Sequence, residues 1–205
     1  MKDVAIYGGS FNPPGLHHRR IVEELTRKRW FDEILVIPCG GRPDKLSVNV
    51  IPPHHRTVMT NLTFANILHV SVSLFDLEQD TYTPACDLQK RFGHQVNLFH
   101  VVGADLVIGG GKGSSQIQTS WKKGREIWET LNFVVVTREG VDLPVNDLPP
   151  RCCLLRDFEN PGSSTVIRNK LFRGESVEGL VMPTVADYIE RHGLYINSCC
   201  EVLGD

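Results

Sequence analysis

The sequence predicts an α/β fold, a parallel sheet with helices between its strands and a small helical piece at the C-terminal end. Three observations carry this. Short apolar, β-branched runs alternate with longer helical patterns, the rhythm of strand–helix–strand units. The runs are rich in Val, Ile, Leu or Phe throughout, as strands covered on both faces are. In the last third, two helical patterns follow one another with no strand between them.

Taken in order, strands are expected at residues 4–7, 33–37, 70–74, 97–102, 133–137 and 152–158. Helices are expected at 18–29, 53–68, 84–92 and 119–131, with apolar residues three or four apart, as Ile21 and Leu25 or Val58 and Leu62 illustrate. Residues 164–172 and 183–192 are the two successive helices. A length of 205 residues suits one compact domain. Within it, 1–158 reads as the α/β core and 159–205 as a helical subdomain packed on that core.

Lys and Arg number 22 against 24 Asp and Glu, a formal net charge of -2, so no global positive field recommends a nucleic acid or a membrane surface as partner. Any anion site must be local. No apolar run approaches the roughly 18–20 residues of a membrane span, and the opening stretch lacks a signal peptide's apolar core, so a cytoplasmic soluble protein is expected. The cysteines, Cys39, Cys86, Cys152, Cys153, Cys199 and Cys200, show no CxxC spacing and read as reduced thiols. His54 and His55 precede a helix, while His69, His94, His100 and His192 are scattered without metal-ligand spacing, which points to structural or solvent-exposed roles. No metal-binding residue is expected.

The chemistry concentrates at two glycine turns. The first strand runs into Gly8-Gly9-Ser10-Phe11-Asn12-Pro13-Pro14-Gly15-Leu16-His17-His18, after which an amphipathic helix begins. Two glycines let the backbone bend and approach a ligand closely, and the helix start offers unpaired N–H groups and a positive dipole end to an anion. In parallel α/β sheets ligands bind at that edge. Near the other end, Gly162-Ser163-Ser164-Thr165-Val166-Ile167-Arg168 places hydroxyls at a helix start and an arginine one turn inside. Simple capping accounts for the hydroxyls, and a second phosphate clamp accounts for hydroxyls and arginine together. Two anion-suited helix starts in one small domain favour a nucleoside triphosphate.

Other readings fail on spacing. GxGxxG is absent, which argues against a nicotinamide-dependent hydride transfer, and no GxSxG elbow marks a serine hydrolase. The cluster from Gly109 to Ser115 has Leu106 where a Walker loop needs its first glycine and Gly113 where it needs Ser or Thr, so it reads as a flexible surface loop.

These residues resemble the HxGH nucleotidyltransferases, and within them the bacterial nicotinate mononucleotide adenylyltransferases. GGSFNPPGLHH at residues 8–18 is similar to that family's opening GG(S/T)F(D/N)PxHxGH. GSSTVIR at 162–168 resembles its ISSTxIR block, and Gly103-Ala104-Asp105 with Trp121 its GAD and following tryptophan. The ending LVMPTVADYIERHGLY at 180–195 matches nearly throughout. The resemblance implies a doubly wound α/β sheet, and adenylyl transfer from ATP to nicotinate mononucleotide with Mg²⁺ as cofactor, held mainly by the ATP phosphates.

By match to those motifs, His18, Lys45 and Arg168 would be catalytic. Gly8, Gly9, Ser10, Phe11, His17, Gly103, Asp105, Ser164 and Thr165 would bind ATP, and Tyr82, Thr83 and Trp121 the pyridine mononucleotide. Arg138 would lie near the adenine. Two departures stand out. Gly15 replaces the first signature histidine while His17 takes the place of the signature glycine, and Asp44 precedes Lys45 where the family has a histidine. They leave open a related transferase with another acceptor, or a nucleotide-binding protein with weakened turnover.

Overall fold

The structure, a computed structural model, describes residues 1–41, 51–137, 143–156 and 162–196. Six strands form one sheet: β1 (Lys2–Gly9), β2 (Glu33–Pro38), β3 (Val70–Val72), β4 (Val96–Gly103), β5 (Asn132–Val136) and β6 (Cys152–Leu155). Their order is β3-β2-β1-β4-β5-β6, and every pairing is parallel. This is the doubly wound α/β sheet that the resemblance implied. Strand order reverses between β1 and β4, and the two cores follow from the period-2 alternation of the strands. Ala5, Tyr7, Val36, Val101 and Val134 pack on one face with Ile21, Val22 and Leu25 of α1 (Leu16–Lys28). Val102, Phe133 and Val135 pack on the other with Ile117, Ile127 and Trp128.

Helix α2 (Pro53–Phe64) stops four residues short of the expected end. Ala65 turns extended and Asn66 adopts a left-handed φ of 62°. The Arg19 guanidinium satisfies the carbonyls orphaned there, donating to Thr63 at 2.5 Å and Ala65 at 3.1 Å. A single turn, α3 (Phe75–Glu78), follows β3 where none was expected, and α4 (Ala85–Phe92) starts one residue late, behind Pro84.

The single helix expected at 119–131 is two, α5 (Gln116–Ser120) and α6 (Gly124–Thr130), with Trp121 extended at the break. Gly124 makes the break possible, because any side chain there would run into the Ile117 carbonyl. The Gly109–Ser115 segment departs from expectation in part. It lies at the surface as expected, with Gly111 to Ser114 exposed, but is pinned at its base: the Asp147 carboxylate accepts from the N–H groups of Gly109 (2.9 Å) and Gly111 (3.1 Å), which holds its carboxyl below the usual range. Gly110 is buried against Trp128, where a Cβ would sit 2.5 Å from the ring.

Helices α7 (Ser164–Phe172) and α8 (Pro183–Arg191) close the fold. Ile167, Val181, Val185 and Ile189 form a cluster with Met59 of α2, so the helical end-piece shares its core with the sheet's own covering helix. The histidines of this seam are not scattered: His55 Nδ1 lies 2.9 Å from the Tyr188 hydroxyl, with the rings of His54 and His192 beside it. Burial, then the charges of His54 and His192, lowers the His55 pKa from its ordinary value. Among the described residues no helix is long and apolar enough to cross a membrane.

Candidate active site

A sheet whose strand order reverses leaves a crevice beyond the carboxyl ends of the two strands at the reversal. Here β1 delivers Gly8 and Gly9 to that edge, and β4 delivers Gly103. A cavity of about 250 Å³ opens there, lined by these glycines and Ser10 together with Tyr82, Thr83 and Trp121.

The glycine turn is built around Phe11, whose side chain is 1% exposed and whose φ is 43°. Its ring lies so close to Gly9 that a Cβ there would meet it at 3.0 Å, and it stands edge-on to Tyr7, His18 and Phe64. The turn ends at Gly15, the N-cap of α1, whose N–H donates to His18 Nδ1 at 3.1 Å. That bond makes Nδ1 an acceptor and puts the proton of the neutral ring on Nε2. His18 therefore presents a donor.

His17 is 5% exposed, and its ring lies against that of His18, tilted by 40° with centroids 3.8 Å apart. A Cβ on Gly15 would lie 2.5 Å from His17 Nδ1 and one on Gly162 3.9 Å from it. The imidazole thus fills the space in which a residue-15 side chain would begin, between the two glycine turns. A side chain at position 15 and the His17 imidazole therefore exclude one another from the same space.

The start of α7 meets the same turn. Ser163 caps the helix by accepting from the Val166 N–H at 3.2 Å. Ser164 Oγ donates to the Pro13 carbonyl (2.9 Å), and Arg168 donates from Nη1 to the Asn12 carbonyl (2.7 Å) and from Nη2 to Thr165 Oγ1 (3.1 Å). The Tyr195 hydroxyl donates to Asn12 Oδ1 at 2.5 Å, and burial pushes its pKa up. Two helix amino ends, α1 and α7, are tied to one loop. Asp105 is exposed in the 3₁₀ turn Ala104–Leu106, its carboxylate folded back over Gly103.

In the cavity lining, Thr83 is fixed by Asp76, which is 2% exposed and accepts from the Thr83 N–H (2.9 Å) and hydroxyl (2.6 Å). Tyr82 is exposed at the rim, and Trp121 reaches the cavity from the α5–α6 break rather than from a helix face. His100 on β4 forms part of the floor, with Nε2 3.3 Å from Gln89 Oε1, and burial lowers its pKa to about 4. Lys45, Asp44 and Arg138 lie outside the described residues.

Sequence reasoning missed Arg56, Asp76, His100 and the anchoring roles of Asn12 and Tyr195. Arg56 had a signal: it shares the buried stripe of α2 with Met59, Thr60 and Thr63, where a lone arginine is out of place. Asp76 had none, since its partners come from a loop five to seven residues on.

Comparison with known proteins identifies the family to which this fold belongs. Residues 6–170 match the family model described as cytidylyltransferase-like. A protein of Leifsonia xyli subsp. xyli named "Probable nicotinate-nucleotide adenylyltransferase" is 32% identical over 200 residues, covering 94% of this chain and 93% of its own. One of the same name from a Roseiflexus species is 29% identical, covering 94% and 97%. The solved structure of Plasmodium falciparum nicotinic acid mononucleotide adenylyltransferase complexed with NaAD superposes with a TM-score of 0.78 at 26% identity, covering 95% of this chain and 98% of that one. The chain belongs to the cytidylyltransferase-like nucleotidyltransferases and, within them, to the nicotinate-nucleotide adenylyltransferases.

Proposed function

We propose that this enzyme transfers the adenylyl group of ATP to nicotinate mononucleotide. A 5′-phosphate oxygen of the mononucleotide bonds to the α-phosphorus, the bond from that phosphorus to the bridging oxygen breaks, and pyrophosphate leaves. The observation that carries this reading is the joining of the α1 and α7 amino ends at residues 12–13, beside a crevice that Tyr82 and Trp121 also line. A phosphate nucleophile is already ionised at neutral pH, so no general base is required; the protein's task is in-line alignment and neutralisation of charge.

The donors gathered at this loop support the following roles. His18, a donor through Nε2, serves the α-phosphate, and the amides of Gly9 to Phe11 line the chain of phosphates. Thr165 and Arg168 hold the β- and γ-phosphates, while Ser164 ties α7 to the loop at Pro13. His17 supplies its imidazole between the turns, Gly8 and Gly103 admit the nucleotide closely, and Asp105 faces its adenosine part. Trp121 stacks on the pyridine, with Tyr82 and Thr83 at its polar edge, and Lys45 bridges the two substrates.

The donor set around the loop consists of N–H, imidazole and guanidinium groups, which suit phosphate oxygens rather than a bare cation. Among the described residues no three His, Cys, Asp or Glu side chains gather as a metal site. Mg²⁺ is proposed to enter on the triphosphate with its remaining waters, as its reluctance to dehydrate favours, and to neutralise charge there. Protein incubated with ATP, Mg²⁺ and either nicotinate or nicotinamide mononucleotide should release pyrophosphate, fastest with the nicotinate form. Release only with an unrelated phosphorylated acceptor, or ATP binding without release, would overturn the assignment.

A further inference from the structure

Arg56 is the largest fully buried side chain among the described residues, at 1% exposure. A guanidinium taken out of water needs hydrogen bonds and, ordinarily, a carboxylate. The partners it has are two carbonyls: Nη1 donates to Ser10 O at 3.2 Å and to Cys39 O at 2.5 Å, and Nε has no partner among the described residues. Asp80, whose charge reaches it, is exposed. A cation is therefore held in the interior directly behind the glycine turn, hydrogen-bonded among the described residues to neutral carbonyls alone.

The two carbonyls belong to the chain just past the carboxyl ends of β1 and β2, where the Cys39 N–H also donates to Gly9 O at 2.9 Å. In a planar trans peptide the C=O and the next N–H point in opposite directions. With the Ser10 carbonyl drawn onto Arg56, the Phe11 N–H is turned away from it, and no described residue accepts that N–H. The same rule applied to Cys39 sends the Gly40 N–H to Thr81 O, at 2.7 Å, on the loop that carries Tyr82 and Thr83.

We propose that Arg56 is a positioning residue of the adenylyl-transfer site: by fixing the Ser10 and Cys39 carbonyls it aims the Phe11 amide at the bound phosphates and places the matching positive charge behind them. The anion completes the neutralisation that the interior leaves unmade, so affinity gained from Arg56 belongs to the charged part of the ligand.

This inference rests on the proposed reaction, and its test separates the two. Wild-type enzyme with ATP, Mg²⁺ and nicotinate mononucleotide reads the reaction; no pyrophosphate there overturns the reaction and leaves Arg56 to the binding arm, which needs no turnover. That arm measures equilibrium binding of ATP and of adenosine, with thermal melting, for wild type, Arg56→Lys and Arg56→Gln. Arg56→Gln should bind ATP at least tenfold more weakly while adenosine changes less than threefold, and Arg56→Lys, a charge without the planar fork, should fall between. An unchanged ratio of ATP to adenosine affinity in both variants, whether from no loss or from equal loss of both ligands, would overturn the proposal. If Arg56→Gln does not fold, Arg56→Lys decides alone: it should lose ATP affinity threefold or more with adenosine unmoved, and parallel loss or none overturns the proposal.

Discussion

Arg168 donates from Nη1 to the main-chain carbonyl of Asn12 at 2.7 Å, joining residues 156 apart in the chain. The α7 arginine is thus oriented by the glycine turn itself, its second nitrogen held by Thr165. A preorganised donor aimed at developing charge is worth about 10² to 10³ in rate when removed. Arg168→Ala should lower kcat/KM for ATP by about 10²-fold while leaving KM for the mononucleotide within about threefold. Arg168→Lys, which cannot reach both partners, should recover only part of this. Pyrophosphate release under varied ATP checks it, and an Arg168→Ala variant within threefold of wild type contradicts the assignment.

Gly15 and His17 must change together. A Cβ on Gly15 would stand 2.5 Å from His17 Nδ1 and 2.7 Å from the Ile167 side chain, so Gly15→His alone forces a buried ring out of its place. Overpacking of that kind costs about 1–3 kcal/mol. Gly15→His should melt several degrees lower and lose activity; adding His17→Gly should restore the melting temperature and raise turnover to or above the wild-type rate. A double variant no better than the single one would show that the rings do not compete for one space.

Much of the fold and of the candidate site is legible in the amino-acid sequence. The six strands were found from apolar runs because a parallel sheet buried on both faces leaves an unambiguous compositional trace, and the loop at Gly8–His18 announced itself through residue types that only a tight turn requires. Most of what was not legible depends on partners distant in sequence. So α2 ends where Arg19, from another helix, takes its last carbonyls, whereas the break at Trp121 is local, set by Gly124 packing on Ile117, and is missed because only the contact itself excludes a side chain there. The pinning of Gly109 and Gly111 by Asp147 is again a distant contact, across 36 to 38 residues, invisible to local pattern.

Trp121, extended at the α5–α6 break, lines the cavity while packing partly against the core of Ile117, Ile127 and Trp128, so that part of its surface is left to a planar ligand. Stacking of an aromatic base on such a side chain is worth about 1–3 kcal/mol. Trp121→Ala should therefore raise KM for nicotinate mononucleotide roughly tenfold to a hundredfold and leave KM for ATP nearly unchanged. Trp121→Phe should keep most of the affinity. Initial rates with each substrate varied in turn test this, and an equal rise in both KM values would place Trp121 outside the acceptor side.

His100 gives the fold an acid sensitivity of its own. Burial lowers its pKa to about 4, against about 6.5 for an exposed histidine, so between those values the unfolded chain binds a proton that the folded one refuses. Stability then rises with pH through that window: the contribution is complete above about pH 6.5, is lost as pH falls, and levels off below about pH 4. At about 1.4 kcal/mol per pH unit, the full loss is on the order of 3 kcal/mol. His100→Phe removes the group while keeping a ring against Phe133, and Gln89, only partly buried, can turn to water. Urea unfolding at pH 7.5 and pH 5 should show wild type losing about 2 kcal/mol more than His100→Phe. The subtraction cancels His55 and every other titrating group the two proteins share, so equal losses would mean that the His100 imidazole is protonated without cost inside the native sheet.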